Sequence, residues 1–519
     1  MRLHDFFEFH ARENPDAPFA SSADRDLTWG AAAREARQIG HALRAAGLGR
    51  GDRVAILAKN CVEYALFYYG AAEVGAVTVP VNYRLTAPEW QVILDDAGPK
   101  ALLARGELVA AVAPLRTQLP DVGCWVALAA PAEAGWISYA DWIGAQPSTP
   151  PEPVVTANDD LYQMYTSGTT GRPKGAVLTH DAVCTNVDQT SSVLPLSPGE
   201  RYLIVAPMYH AAAAVAVFLT VRQGGTLVIM EDFDPQSVVD ALSEQRINAT
   251  TLVPAMIQAC LVLVPGVEQR SYEHLRCIGY GASPIAAQTL RHAIDVFDCQ
   301  FVQGYGMTEC TALATALTPQ DHVRALAGEP GLLLSCGRAL PGTEVRVVDA
   351  DDRDTGAGQI GEVLVRGPQV MRYYWRMPEA SAAALAGDWL HTGDAGCLDA
   401  EGFLYIQDRV KDMIVSGGEN IYPREVENVL FEHPGVADAA VIGIPDDRWG
   451  ETVKAVVVLR DGCTADEAAL IEFCHTRIAA FKCPQSVDFT AELPRNASGK
   501  VLKKDLRAPF WAGRTRHVG

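Results

Sequence analysis

The sequence lacks the signals of several classes of protein. Its 519 residues carry 43 Lys and Arg against 63 Asp and Glu, a formal net charge of −20 at pH 7, and no basic run interrupts that excess. Such a chain repels phosphate backbones and anionic headgroups, so we expect no nucleic acid or anionic membrane as partner. The longest apolar run, 211–221, is only about half of the roughly 20 residues that cross a bilayer. It predicts a buried helix and no stable membrane insertion.

Cysteine pairs with the spacing of a metal or redox site are also missing. The twelve cysteines are scattered, and none belongs to a Cys-x-x-Cys motif, which argues against both a zinc site and a dithiol centre. The first residues lack the apolar stretch of a signal peptide. We therefore expect reduced thiols and a cytoplasmic protein.

The chain does contain the alternation of an α/β protein, and 519 residues are too many for one hydrophobic core. Short β-branched runs alternate with helical patterns, first from Asp52 onward, with helices predicted over 62–74 and from Pro88. The alternation restarts after the proline-rich stretch 147–153, with helices predicted near Pro235, Pro254 and Pro284. This rhythm predicts two doubly wound parallel sheets. Beyond residue 340 the alternation has a period of two, which predicts a small antiparallel β subdomain.

A break at 408–412 precedes an α+β segment of about 110 residues, with helices predicted near 423–431 and 465–478. The predicted organisation is therefore a large N-terminal domain, 1–408, and a small C-terminal α+β domain, 409–519. We find no internal repeat and no low-complexity tail.

The strongest local signal is the loop 165–175. It holds three glycines, four Ser/Thr hydroxyls and a lysine, between an apolar segment and a predicted helix that starts near His180. Glycines let backbone N–H groups close around phosphate oxygens, and the hydroxyls and Lys174 add donors and charge. Pro173 and Gly175 distinguish the loop from a Walker A motif. A plain surface loop has a similar composition, so the residues alone leave both interpretations open.

Four further motifs make the chain recognisable. They are Gln303–Glu309, Thr392–Asp394, Asp408–Asp412 and Pro494–Lys500. Together with the loop, they give a sequence that resembles the adenylate-forming superfamily of acyl-CoA synthetases, nonribosomal adenylation domains and luciferases, in the family's order over about 25–505. The segment 416–423 is most similar to bacterial fatty-acyl and aryl-CoA ligases.

This resemblance implies two half-reactions. A carboxylic acid first reacts with ATP to give an acyl-adenylate and pyrophosphate, and the thiol of coenzyme A then displaces AMP. Because the carboxylate and the triphosphate repel each other, cations must neutralise them. The co-substrates would be ATP and coenzyme A, and Mg²⁺ would be the metal.

The resemblance also implies roles for particular residues. Lys500 would bridge the carboxylate and the α-phosphate, Glu309 and Thr166 would hold Mg²⁺, and His210 would stand between the carboxylate and thiol sites. Asp394 and Arg409 would bind the ribose, and Tyr305 would stack on adenine opposite Gly281 and Ala282. The remaining ATP-binding residues would be Ser167, Gly168, Thr169, Thr170, Lys174, Gln303, Gly304, Gly306, Met307 and Thr308.

For the second half-reaction, the resemblance places a hinge at Lys411, about which the mobile C-terminal domain would rotate. Gly417 and Gly418 would leave a channel for the pantetheine arm, and Trp449 and Lys482 would contact coenzyme A. A buried hydrophobic anchor is the alternative for Trp449. Some relatives carry basic residues after Lys482, whereas residues 483–485 of this chain are Cys-Pro-Gln. Lys454 or Arg477 could hold the anionic cofactor instead.

The acyl pocket implied by the resemblance contains His210, Ala211, Ala214, Tyr280, Gly304 and Thr311. Small side chains after His210 would leave volume for an apolar acid, although tight helix packing has the same pattern. Because these segments contain no arginine or lysine, malonate-type acids are disfavoured. The predicted substrate is a medium- or long-chain fatty acid. The alternatives are an aryl or alicyclic acid, a freestanding enzyme that loads a carrier protein, and a silent nucleotide-binding protein; a homodimer is possible.

Overall fold

The computed structural model describes residues 1–128, 134–166, 173–283, 285–409, 412–416, 419–446, 448–495 and 501–512. The helices of these residues are α1 (Leu3–Glu13), α2 (Trp29–Ala45), α3 (Val62–Val74), α4 (Ala87–Ala97), α5 (Glu107–Val112), α6 (Tyr139–Gly144), α7 (His180–Val193), α8 (Ala211–Arg222), α9 (Pro235–Glu244), α10 (Pro254–Leu263), α11 (Ala287–Phe297), α12 (Pro319–Ala327), α13 (Pro378–Ala384), α14 (Pro423–Phe431), α15 (Glu467–His475) and α16 (Lys503–Arg507).

The strands are β1 (Pro18–Ser21), β2 (Asp26–Thr28), β3 (Arg53–Leu57), β4 (Val77–Pro80), β5 (Ala101–Arg105), β6 (Cys124–Leu128), β7 (Ile137–Ser138), β8 (Asp160–Thr166), β9 (Lys174–Thr179), β10 (Arg201–Ile204), β11 (Thr226–Ile229), β12 (Ala249–Leu252), β13 (Cys277–Gly281), β14 (Gln300–Tyr305), β15 (Thr315–Leu317), β16 (Arg338–Ala339), β17 (Glu344–Val348), β18 (Gly361–Arg366), β19 (Tyr373–Tyr374), β20 (Leu390–Leu398), β21 (Leu404–Arg409), β22 (Ile414–Ser416), β23 (Glu419–Ile421), β24 (Val436–Asp446), β25 (Gly450–Leu459) and β26 (Ser486–Phe489).

The chain forms two compact units. The first comprises Met1–Pro284, Arg291–Glu344 and Val365–Leu390, and the second comprises Ile285–Leu290, Val345–Leu364 and His391–Gly519. The strands of the predicted small β subdomain are therefore largely in the second unit. The domain boundary predicted at 408 and 409 stays a prediction.

The first unit contains two large sheets, as the sequence predicts. One has the order β16-β15-β14-β13-β12-β10-β11-β1-β2 and the other has the order β19-β9-β8-β4-β3-β5-β6-β7. Neighbours from β12 to β14 pair in parallel, and β4, β3, β5 and β6 do the same. Because the carboxyl ends of parallel strands share one edge, the segments that follow β13 and β14 lie side by side.

Two helices of this unit are buried on nearly all faces. Every residue of α3 except Glu63 is buried, and α8 buries ten of its twelve residues. The two helices meet where the Tyr68 ring packs edge-on against Phe218, with centroids 5.0 Å apart. A helix that is apolar on all faces is an interior helix, so the prediction of a buried helix over 211–221 is confirmed. Among the described residues no helix has the length and hydropathy to span a bilayer.

The second unit contains two smaller sheets. The first has the order β17-β18-β20-β21, and the second has the order β23-β22-β25-β24, with β26 alongside β25. The long hairpin of β24 and β25 supports α14 and α15 through a core that includes Val426, Leu430 and Val457. Helix α14 begins at Pro423 as predicted, whereas α11 in the preceding part of the chain begins only at Ala287.

A buried carboxylate in α3 gives the fold a dependence on pH. Glu73 is 6% exposed, and within the described residues neither of its carboxylate oxygens has a hydrogen-bond partner. Burial, followed by the negative charge of Glu8, raises the pKa of Glu73 to about 9. The folded state favours the neutral carboxyl of Glu73. The contribution of Glu73 to the free energy of unfolding is therefore fully present below the ordinary pKa of a glutamate, and it is lost progressively as the pH rises towards 9.

We expect Glu73→Gln to raise the free energy of unfolding at pH 8.5 by about 1–3 kcal/mol, because glutamine needs no proton to stay neutral. At pH 5 the difference should be small. Urea unfolding at the two pH values measures it. Glu244→Gln, at an exposed position at the end of α9, is the control. Equal effects at both pH values would show that Glu73 does not titrate with folding.

Candidate active site

The candidate site of the first unit forms where strand ends meet. Strand β8 ends at Thr166, and β14 ends at Tyr305, just before the short 3-10 turn that carries Glu309. The hydroxyl of Thr166 lies 3.4 Å from Oε1 of Glu309, although the residues are 143 positions apart. The two residues predicted to hold the metal are thus side by side.

Tyr374 is a site residue that the sequence did not reveal. Its hydroxyl donates to Oε1 of Glu309 at 2.8 Å, and the ammonium of Lys174 lies 4.9 Å from the centre of its ring. Antiparallel pairing of β19 with β9 brings Tyr374 to this point, opposite Ala176. A tyrosine in a two-residue strand has no pattern around it, so only the pairing identifies it.

Glycines allow β13 and β14 to approach each other closely at their carboxyl ends. Gly281 pairs with Gly304, and a Cβ added to Gly281 would lie 2.2 Å from the carbonyl oxygen of Gly304. Ala282 follows with φ of 64°, a left-handed conformation that is uncommon for alanine. The backbone predicted to border the adenine site is therefore tightly constrained.

The segment after β14 turns back at once. Ala314 N donates to Tyr305 O at 2.8 Å, and Thr311 N donates to Thr308 O at 3.0 Å. Met307 N donates to the thiol of Cys310 at 3.3 Å, and Nε2 of Gln303 donates to Cys336 at 3.9 Å. These bonds fix the loop that presents Glu309.

His210 caps the N-terminus of α8, and its Nε2 is a buried atom without a partner among the described residues. Burial, aided by the positive charge of Arg84, lowers the pKa of His210 to about 4. The imidazole is therefore neutral at physiological pH. The sequence gives no signal for Arg84, because it lies in a different segment, more than a hundred residues before His210.

The predicted acyl-pocket residues have contacts of their own. Tyr280 shares a hydrogen bond of 2.9 Å with Nε2 of His322, whose Nδ1 lies 2.8 Å from Thr318 O. Because a carbonyl accepts, Nδ1 carries the proton and the Tyr280 hydroxyl donates to Nε2. Ala211 and Ala214 are buried in α8. The hydroxyl of Thr311 donates to Gln369 O at 2.8 Å.

In the second unit, the two predicted ribose ligands are opposite each other. Asp394 of β20 pairs with Arg409 of β21. Asp394 is buried, and its N–H donates to the hydroxyl of Thr392 at 3.1 Å. Antiparallel pairing thus joins two motifs that the sequence showed only as separate runs.

The predicted coenzyme A residues of the second unit differ from each other in exposure. Trp449 is 48% exposed, with the guanidinium of Arg448 4.5 Å from its ring, so the alternative of a buried anchor is wrong. Lys482 is bound by both oxygens of Glu425 at 2.7 and 2.8 Å. Lys454 pairs with Asp488 at 2.7 Å.

Several predicted site residues lie outside the described part of the chain. They are Ser167, Gly168, Thr169, Thr170, Lys411, Gly417, Gly418 and Lys500. Their roles stay predictions.

The oxygen donors present fit a hard cation. Across the described residues no group of three or more His, Cys, Asp or Glu side chains could hold a metal on its own. Thr166 and Glu309 supply a hydroxyl and a carboxylate at one point, and Mg²⁺ in nucleotide sites takes one or two protein oxygens and the rest from phosphates and water. Thr166 and Glu309 therefore suit a metal that binds as its complex with a nucleotide.

Two wound sheets, a hydroxyl–carboxylate pair at strand ends and a glycine-lined pair of strands define a nucleotide-binding α/β protein. The chain belongs to the AMP-binding enzyme family. Residues 7–375 match the AMP-binding enzyme family, and residues 425–500 match the AMP-binding enzyme C-terminal domain. The resemblance noted in the sequence is thereby confirmed.

Curated relatives cover nearly the whole chain. A fatty acid–[acyl-carrier-protein] ligase, ScoC of Streptomyces coeruleorubidus, is 39% identical over 98% of this chain and 96% of its own. A feruloyl-CoA synthase of Amycolatopsis sp is 39% identical over 96% and 97%. The long-chain-fatty-acid–CoA ligase FadD13 of Mycobacterium tuberculosis is 37% identical over 95% and 94%.

A solved structure has the same architecture. The anthranilate CoA ligase AuaEII, in complex with anthranoyl-AMP, superposes with a TM-score of 0.90 at 27% identity, over 98% of this chain and 97% of that chain. The predicted fold class is confirmed.

Proposed function

We propose that the protein is an ATP-dependent carboxylic acid:CoA ligase. It joins an acid to AMP with release of pyrophosphate, and then transfers the acyl group to the thiol of coenzyme A with release of AMP. The observation that carries the proposal is the contact of Thr166, Glu309 and Tyr374, which assembles an oxygen site for a metal–nucleotide beside Lys174. The CoA ligases among the relatives support coenzyme A as the acceptor of the acyl group.

Within this reaction, Glu309 and Thr166 would hold Mg²⁺, which would neutralise charge on the triphosphate. Lys174 adds a cation, Tyr305 faces the adenine, and Asp394 and Arg409 hold the ribose. Lys500 acts in adenylate formation, and Gly417 with Gly418 acts in thioester formation. The hydroxyls of the loop 167–170 contribute donors to the phosphates.

The acid is proposed to be apolar. A neutral His210 followed by the buried alanines of α8 offers no charge to a substrate tail. A medium- or long-chain fatty acid is the first choice and an aryl acid is the second, in line with the substrates in the relatives' names. Arg84 lies near His210, and its positive charge could pair with a second carboxylate. Dicarboxylic acids are therefore included in the test.

A freestanding enzyme that loads a carrier protein is the second candidate. ScoC is named for such an acceptor. In addition, Lys482 and Lys454 are paired with Glu425 and Asp488, so two cations that coenzyme A phosphates would attract are already neutralised.

The test is release of pyrophosphate and AMP from ATP over a panel of fatty, aryl and dicarboxylic acids. Each acid is assayed alone, with coenzyme A, and with a phosphopantetheinylated carrier protein. We expect acid-dependent pyrophosphate release and turnover driven by coenzyme A. Turnover with the carrier protein alone would favour the second candidate, and no release with any acid would contradict both.

Lys500→Ala provides the mechanistic control. It should lower adenylate formation by about 100-fold or more while sparing thioester formation from a supplied acyl-adenylate. Equal loss in both half-reactions would contradict the assignment of Lys500 to the first.

We also propose a cytoplasmic location and a homodimer. All twelve cysteines are unbridged, which agrees with a reducing compartment. Light scattering of the purified protein decides the number of subunits.

A further inference from the structure

Thr311, two residues after Glu309, has a strained backbone. Its φ is 67° and its ψ is −64°, and Ala312 N donates across it to Cys310 O at 2.8 Å. These values define a γ-turn with positive φ, which is rare and strained for any residue with a side chain. Threonine is β-branched and therefore especially unsuited to it. The side chain is also fully buried. Surrounding contacts must hold such a turn in place.

Asn186 of α7 holds the far side of the turn. Its Oδ1 accepts from Leu313 N at 3.2 Å, and its Nδ2 donates to Leu313 O at 2.8 Å. One side chain therefore satisfies both backbone groups of Leu313, as a neighbouring strand would. Asn186 is itself completely buried, so neither bond competes with solvent.

Gln369 holds the near side of the turn. Its main-chain carbonyl accepts a hydrogen bond from the hydroxyl of Thr311 at 2.8 Å, and its side-chain amide donates to the hydroxyl of Thr343 at 2.6 Å. Gln189 joins the two sides, because it accepts from Asn186 at 3.0 Å and donates to Thr343 at 3.1 Å. Each of these polar side chains is buried and bonded to another, which is the arrangement that makes a polar network rigid.

The segment that starts at Gln369 also holds Glu309 directly. Met371 N donates to Glu309 O at 2.7 Å, and the hydroxyl of Tyr374 donates to the carboxylate of Glu309 at 2.8 Å. The segment 369–374 thus holds both the turn at Thr311 and the carboxylate of Glu309, while Asn186 holds the other end of the turn at Leu313. A change in the turn would move the carboxylate relative to Thr166.

We propose that Asn186 and Gln369 are positioning residues. They hold the strained turn at Thr311 so that the carboxylate of Glu309 faces Thr166 in the orientation that binds the metal. The inference rests on the proposed role of Glu309 as a metal ligand. Because neither residue belongs to the proposed nucleotide or acid sites, their effect should appear in the metal requirement.

Asn186→Leu is the first test variant. Leucine has a similar volume but makes neither bond to Leu313. We expect the Mg²⁺ concentration for half-maximal pyrophosphate release to rise by about ten-fold or more, the size found when outer groups that orient a metal ligand are removed. The affinity for ATP measured in EDTA should stay within about two-fold, because no base or ribose contact is altered.

Thr311→Val and Thr311→Ser provide an independent pair if Asn186→Leu folds poorly. Valine is β-branched like threonine, so the strain of the turn is kept and only the bond to Gln369 O is lost. Because Thr311 also belongs to the predicted acyl pocket, both variants are assayed at saturating acid. The Mg²⁺ requirement of Thr311→Val should then rise by about ten-fold, and serine, which keeps the hydroxyl, should leave it near the wild-type value. A merely structural role would not show this rescue in the metal requirement.

Asn60→Leu is the matched control. Asn60 is a buried asparagine that accepts from Met208 N at 2.8 Å and donates to Ala206 O at 3.0 Å. These bonds hold the segment before His210 and involve no residue of the Glu309 loop. It should lower the melting temperature as Asn186→Leu does but leave the Mg²⁺ requirement unchanged.

Glu309→Gln in the same titration distinguishes the metal-ligand role of Glu309 from the positioning role of Asn186 and Gln369. If Glu309→Gln raises the Mg²⁺ requirement and the folded Asn186→Leu and Thr311→Val variants do not, the positioning role is overturned while the metal ligand stands. If Glu309→Gln leaves the requirement unchanged, both fall.

Discussion

Glu309→Gln should lower the rate of adenylate formation by at least about 100-fold at ordinary Mg²⁺ concentrations. Glutamine has the same shape, and its amide oxygen can still accept the hydroxyl of Tyr374. What is lost is the negative charge beside Thr166, which is the part of the site that we propose binds a divalent cation. The folded structure should therefore survive while the first half-reaction fails.

The measurement is acid-dependent exchange of labelled pyrophosphate into ATP, with circular dichroism to verify the fold. Thioester formation from a supplied acyl-adenylate is the internal control, because that step contains no triphosphate. Tyr374→Phe, which removes only the hydroxyl that orients the carboxylate, should cost about ten-fold. A rate for Glu309→Gln within three-fold of the wild type would remove Glu309 from the proposed metal site.

Gly306→Ala should cause a loss of similar size by a different route. A Cβ at Gly306 would lie 2.1 Å from the carbonyl oxygen of Ala312 and 2.8 Å from the Cα of Leu313. These are backbone atoms of the returning segment, so no side chain can move aside. The added methyl must separate β14 from the chain that follows Thr311. We expect adenylate formation to fall by about 100-fold and the free energy of unfolding to fall by about 1–3 kcal/mol.

Gly331→Ala is the matched substitution for this test. It lies in the 3-10 turn Pro330–Leu334, and a Cβ there meets no atom within 4 Å. Activity and the urea midpoint of both variants should be compared under the same conditions. Wild-type pyrophosphate exchange by Gly306→Ala would mean that the loop tolerates displacement and that the close approach at Gly306 has no part in activity.

Much of the architecture follows from local pattern. The alternation of β-branched runs with helical segments predicted both large sheets, and α3 has the bounds read from its apolar run. The N-terminal strands β1 and β2 were not predicted, because β2 is only three residues long and β1 is held by a partner, β11, about two hundred residues away. Strands of that length are specified by their neighbours more than by their own residues.

The sequence by itself determined the family, the order of the motifs and the chemical types of the candidate ligands. Each motif consists of residues that are adjacent in the chain, so it can be recognised without the fold. Only the tertiary structure decided which of them touch. The Thr166–Glu309 contact, the tyrosine that orients the carboxylate and the asparagine that supports the turn at Thr311 all join residues more than sixty positions apart. Such contacts depend on strand order and pairing register, and no local periodicity encodes those.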